Sequence, residues 1–222
     1  MKIILFFLSG SASSSFIHCC LFRYVKKQFF SYRSCCDFCH KKLVFSELIP
    51  IFSYFLQGGK CRCKKHHLDT YSLVCELLLG ISFSFFFFFY PYQEACWRCL
   101  LCLLLDALAY GDYLSYTVYS LFHLLFLLFS FLFQKTFFWQ EALLFTFPFL
   151  ILKLVFPHKI GGGDLEYFFV LALLFGYQQA AKEIFIACFL AFLWIMLRNK
   201  KNGPIAMLPF FCVVRYLFFF LT

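Results

Sequence analysis

Ile160-Gly161-Gly162-Gly163-Asp164-Leu165-Glu166 ends a glycine run in a carboxylate, at the point where a basic loop meets an apolar segment. Without Cβ atoms this backbone is free to take φ > 0 or to lie close against another chain. An ionised acid at bilayer depth costs about 2.5 to 3.5 kcal/mol, so it should face a bundle interior or water and have a partner. The expected partner is Asp112, in Tyr110-Gly111-Asp112-Tyr113, which also stands at a glycine-marked boundary between apolar segments. Two carboxylates on one side of a membrane suggest acid/base chemistry on water. Asp112 and Asp164 are therefore the candidate catalytic residues, with Gly161 and Gly163 supporting them.

The elements that must position these acids are set by composition. Of 222 residues, 63% are hydrophobic and 14% charged, and mean hydropathy is +0.81. Apolar runs long enough to span a bilayer recur from end to end, which excludes a soluble globular class. The expected fold is all-α: a polytopic transmembrane bundle of about seven or eight spans of roughly 20 residues, with one cytoplasmic polar insert and no room for a large soluble domain. The 38 phenylalanines read as lipid-facing filler, and the run Phe85 to Phe89 as compositional drift.

The chain divides into a first transmembrane helix (1–22), a basic cysteine-containing insert (23–72) and a transmembrane catalytic bundle (73–222). Small residues from Ser9 to Ser13 have the look of a signal-peptide cleavage site. Apolar character resumes at Phe16, however, and a retained first helix with small packing residues is the expectation. The insert holds Arg23, Lys26, Lys27, Arg33, Lys41, Lys42, Lys60, Arg62, Lys64 and Lys65, half of the 20 basic residues. By the positive-inside rule it is cytoplasmic and the amino terminus is outside. Further spans are expected at about 73–90, 95–111, 113–133, 138–156, 164–178, 183–197 and 205–221. Inner loops then carry His158, Lys159 and Arg198 to Lys201, and the outer side only Arg98, Lys135 and Lys182. Both candidate acids fall at the cytoplasmic face of the membrane. The net charge of +9 signals orientation and contact with anionic lipid, not nucleic-acid binding.

Within the insert, Cys36-Asp37-Phe38-Cys39 is followed by Cys61-Arg62-Cys63, with His40, His66 and His67 nearby. Paired thiols converging from two turns are zinc-ribbon spacing. Cys36, Cys39, Cys61 and Cys63 are the candidate zinc ligands, the second pair being one residue short and open to completion by His66 or His67. Free thiols in a reducing compartment are the alternative, and a cytoplasmic insert disfavours a disulfide. Cys96, Cys99 and Cys102 read as buried helix positions.

Several stretches together resemble the type IV prepilin leader peptidases. They are Arg33 to Cys39, Glu47-Leu48-Ile49-Pro50 with Ser53-Tyr54, Gly58-Gly59-Lys60-Cys61-Arg62 and Val74-Cys75-Glu76-Leu77-Leu78. Asp112 with Val118, Gly161 to Asp164, and Gly203-Pro204-Ile205 with Pro209-Phe210 follow in order, so that the resemblance covers nearly the whole chain. Its brevity and its wealth of Phe and Lys are similar to the competence-type members that process pseudopilins. The resemblance implies a membrane aspartyl endopeptidase with Asp112 and Asp164 as its essential pair. One acid would hold a proton while the other takes one from water. The substrate implied is a prepilin or pseudopilin, cut after a glycine that ends a short basic leader. Many members also methylate the new amino terminus with S-adenosylmethionine. Three positions depart from the pattern. Glu166 stands where a lysine is usual, Tyr119 where a proline is common after the first aspartate, and Lys64 where a cysteine is expected, with Cys63 one place off. The altered cysteines leave methylation unassigned.

Other ionisable residues have plainer readings. Asp106, six residues before Asp112, is an alternative acid but reads as a hydrogen-bonding group within the bundle. Glu76 and Arg215 read as structural or interfacial, and His158 and Lys159 as headgroup contacts. A proton- or cation-coupled transporter would show an internal repeat and acids strung across the membrane. Here the best pair lies at one face and no repeat is seen. A non-catalytic secretion assembly factor is the third class. The sequence leaves oligomeric state and cognate pilin open.

Overall fold

The computed structural model describes residues 2–26, 42–61, 64, 67–117, 120–133, 136–157, 161–198 and 205–221. Among these there is no β-strand. The chain forms α1 (Lys2–Val25), a 3-10 turn (Phe45–Glu47), α2 (Phe52–Leu56), α3 (Thr70–Phe89), α4 (Tyr92–Ser115), α5 (Ser120–Phe133), α6 (Trp139–Val155), α7 (Gly162–Phe175), α8 (Tyr177–Arg198) and α9 (Leu208–Leu221). It divides into two compact units, Met1–Leu103 and Leu104–Thr222.

Three helices, α1, α3 and α8, are long and apolar enough to cross a membrane. Their outward faces carry large apolar side chains, with Phe16, Phe88 and Phe185 all well over half exposed. Polar groups such as Ser11, Ser14, His18, Glu183 and Arg215 are instead buried. That inversion suits lipid as the solvent, and the chain is a membrane protein. Helices α5, α7 and α9 have 14 residues each, rising about 21 Å against a hydrocarbon core of about 30 Å.

In the first unit α1 and α3 run antiparallel, side by side. Hydrogen bonds join Ser84 Oγ to the Ile3 carbonyl at 3.1 Å and Ser11 Oγ to the Glu76 carbonyl at 3.0 Å. His18 Nδ1 lies 3.0 Å from Ser72 Oγ. Glycine makes this approach possible. A Cβ on Gly10 would stand 2.6 Å from the Leu79 carbonyl oxygen, and one on Gly80 2.6 Å from Ser11 Oγ. With little hydrophobic drive between helices in lipid, such close backbone contact is what holds them.

The described part of the insert is pinned to α3. Glu76, buried in the second turn of that helix, accepts the Ile51 backbone N–H at 2.8 Å. Ile51 has φ of 62° with ψ of −54°, a positive-φ turn conformation that is disfavoured for a β-branched residue and held here from outside. The residue just after Glu47 to Pro50 is thus tied to the stretch Val74 to Leu78 through one carboxylate, which agrees with the structural reading of Glu76.

In the second unit α7 is the central helix. Tyr167, Phe168 and Val170 to Leu174 are all buried, because α5, α6 and α8 pack around it and Phe211 of α9 stacks on Tyr167 at 5.2 Å. A helix that is apolar all round belongs inside a bundle. At its far end Gly176, with φ of +80°, folds the chain straight back into α8. There Glu141 Oε2 of α6 accepts the Tyr177 N–H at 3.0 Å, an anion at a helix N-terminus. Helix α8 has 22 residues to the 14 of α7, and its buried stripe of Ala180, Glu183, Ile184, Ala187 and Ala191 stops seven residues short of its end.

Two expected boundaries are corrected. Gly111 does not end a helix: α4 continues to Ser115, because Gly111 and Asp112 are buried and packing outweighs the roughly 1 kcal/mol helix cost of glycine. The break comes at Tyr116, with φ of 53°. The span expected from 183 begins at Tyr177, since the tight turn at Gly176 needs no loop. Lys182 therefore lies inside α8 and not in an outer loop, and Arg98 likewise lies within α4.

Candidate functional site

Asp164 occupies the third position of α7, whose N-cap is Gly161. From there its carboxylate reaches back to accept the Gly161 backbone N–H, one half of a capping box. A Cβ on Gly161 would stand 2.8 Å from Asp164 Oδ2, and one on Gly162 would stand 2.9 Å from Lys153 Nζ of α6. Gly161 has φ of −65°, so its glycine serves close approach and not a left-handed turn. Gly163 follows, half-buried, within the first turn of α7.

Asp112 lies in the last turn of α4, only 6% exposed. Its Oδ2 accepts the Leu208 N–H at 3.1 Å, and the Met207 N–H also bonds to it. These are otherwise orphan donors at the start of α9. An acid at the C-terminal end of its own helix is unfavourable; this one is placed at the positive end of another. The Asp112 charge is felt at Asp164, where Lys153 opposes it. Asp112 and Asp164 lie in one unit, each held by backbone N–H groups at a helix start.

Around the pair, Glu166 accepts the Ser120 hydroxyl of α5 at 3.0 Å, and its Oε2 stands 3.1 Å from Nδ1 of the buried His123. Asp106, one and a half turns deeper in α4, is buried and acts on Cys212 of α9. Arg215 forms a buried ion pair with Glu183 of α8, and its guanidinium lies 3.2 Å from the centre of the Phe175 ring and 4.4 Å from that of Phe219. The structural reading of Arg215 agrees with this. Ser120, His123, Lys153 and Glu183 were not anticipated from sequence. The rule that an acid and a base inside apolar segments must pair would have linked Glu183 to Arg215.

Of the four expected zinc ligands only Cys61 is among the described residues, where it is buried. Cys36, Cys39 and Cys63 lie outside them, as do His40, His66, His158, Lys159, Val118, Tyr119, Gly203 and Pro204.

Residues 8–90 match the family described as the bacterial peptidase A24 N-terminal domain. Over those residues the chain is similar to this domain, which is consistent with a prepilin peptidase family member. The match ends before α4 begins, so Asp112 and Asp164 both lie beyond it. No curated protein and no solved structure gives a match.

Proposed function

We propose that this protein is a membrane aspartyl endopeptidase that removes the short basic leader from prepilins or pseudopilins at the cytoplasmic membrane face. In this reading the apolar helices make seven or eight spans around the Asp112 and Asp164 pair, and residues 23–72 face the cytoplasm. What supports it is that Asp112 and Asp164 lie in one unit, each accepting backbone N–H groups at a helix start. Two carboxylates within each other's field do not both ionise cheaply, so the resting pair shares one proton. The ionised member draws a proton from water, which attacks the leader's peptide carbonyl. The protonated member hydrogen-bonds the carbonyl oxygen and then supplies the leaving amine. A substrate helix entering sideways between spans brings its scissile bond to the helix ends.

The test is co-expression with candidate prepilins, read as the amino-terminal mass of the product. Cleavage by the wild type, and its loss in Asp112→Asn and in Asp164→Asn at unchanged membrane abundance, is the expected result. Full cleavage by either variant overturns the assignment. The same masses score methylation of the new amino terminus.

A further inference from the structure

We infer that Glu166 is a positioning residue for Asp164, acting through Ser120 and His123 of α5; this rests on the two-acid reading above. Glu166 follows Asp164 by two residues, which turns it about 200° around the helix. The acid faces Asp112 on one side while Glu166 reaches α5 on the other. There it takes one hydrogen bond, from the Ser120 hydroxyl at 3.0 Å, and approaches one ring nitrogen, His123 Nδ1 at 3.1 Å. The His123 side chain is 5% exposed and that of Glu166 44%. The buried partner is thus fixed by packing and the exposed one is fixed by it.

The placement along the chain gives the contact its leverage. Ser120 opens α5, the first helix after the one that carries Asp112. A link from Glu166 to Ser120 and His123 therefore ties the turn holding one acid to the helix that follows the other. Helix starts fray readily, and because the N-cap Gly161 has no side chain, the capping contact described at this end of α7 is made by the Asp164 carboxylate itself. Rotation of that turn would swing the Asp164 carboxylate away from Asp112, and a misplacement of about 1 Å can cost about 100-fold in rate.

The test uses the full chain in proteoliposomes with a prepilin peptide carrying a basic leader, a glycine and an apolar helix. Steady-state constants are compared for wild type, Glu166→Ala, His123→Ala and the double variant, with Asp164→Asn alongside. Glu166→Ala and His123→Ala are each expected to lower kcat about tenfold with KM unchanged, and the double variant to fall no further than either. Glu166→Gln, which keeps the Ser120 acceptor and the side-chain shape, is expected to recover part of the loss. A rise in KM at unchanged kcat would make Glu166 a substrate contact and overturn the inference, as would single effects that multiply in the double variant. Activity in Asp164→Asn would instead remove the two-acid reading itself, a failure distinct from that of the Glu166 link.

Discussion

Leu208 donates its backbone N–H to Asp112 Oδ2 across 3.1 Å, so the end of α4 and the start of α9 meet at one carboxylate. Asp112 therefore has a structural duty as well as its proposed chemical one, and two substitutions separate them. Asp112→Asn retains an acceptor for Leu208 and should fold normally while losing leader cleavage by at least about 100-fold. Asp112→Ala leaves the N–H unpaired and should cost about 1 to 3 kcal/mol besides. Thermal unfolding in detergent beside a cleavage assay checks both, and equal stability of the two variants would contradict the contact.

The Glu183 and Arg215 pair is fully buried between α8 and α9. Removing one partner strands the other's charge, so Arg215→Met and Glu183→Leu should each destabilise by about 3 kcal/mol. The double replacement should recover most of that loss, because two apolar side chains need no partner. Unfolding midpoints that simply add would show the two residues to be independent.

Gly10 and Gly80 set the distance between α1 and α3. Valine at either position collides with the facing helix, Gly10 with the Leu79 carbonyl and Gly80 with Ser11 Oγ. Each should cost about 1 to 3 kcal/mol as an overpacking change. Thermal unfolding in detergent reads the loss, and Gly58→Ser, where φ is +57° and a Cβ meets nothing within 4 Å, reports backbone strain without a clash.

Glu76 holds the positive-φ turn at Ile51. Glu76→Ala should release it, so that limited proteolysis within 42–60 speeds up by about tenfold while α3 stays resistant. Glu76→Gln, which can still accept the N–H, should cleave close to the wild-type rate. Identical digestion of all three proteins would mean the turn is fixed by something else.

Much of this architecture was legible because lipid imposes simple rules. Apolar runs marked the positions of α1 and of the helices from α3 to α9, though not α2 inside the polar insert, and acids near helix ends singled out Asp112 and Asp164 as candidates. The errors arose where local and tertiary signals disagree. Gly111 signals a break, but its burial keeps α4 helical. The polar run from Tyr177 to Glu183 resembles a loop, yet α8 starts at once because Glu141, 36 residues earlier, caps it. The partners of Glu166 and Arg215 were hidden for the same reason. A long-range pair has no spacing to read, and chemistry says only that a mate exists.

Helix α8 outruns α7 by about 12 Å, and beyond Ala191 it turns Phe192, Leu193, Trp194, Met196 and Leu197 to the outside. The acid at the head of α7 consequently lies at the foot of a greasy ledge and not on an open rim. On the proposed reading, a substrate running along α8 from Arg198 would pass these five apolar side chains before reaching the acid, which suits the apolar helix of a prepilin better than a wholly hydrophilic peptide.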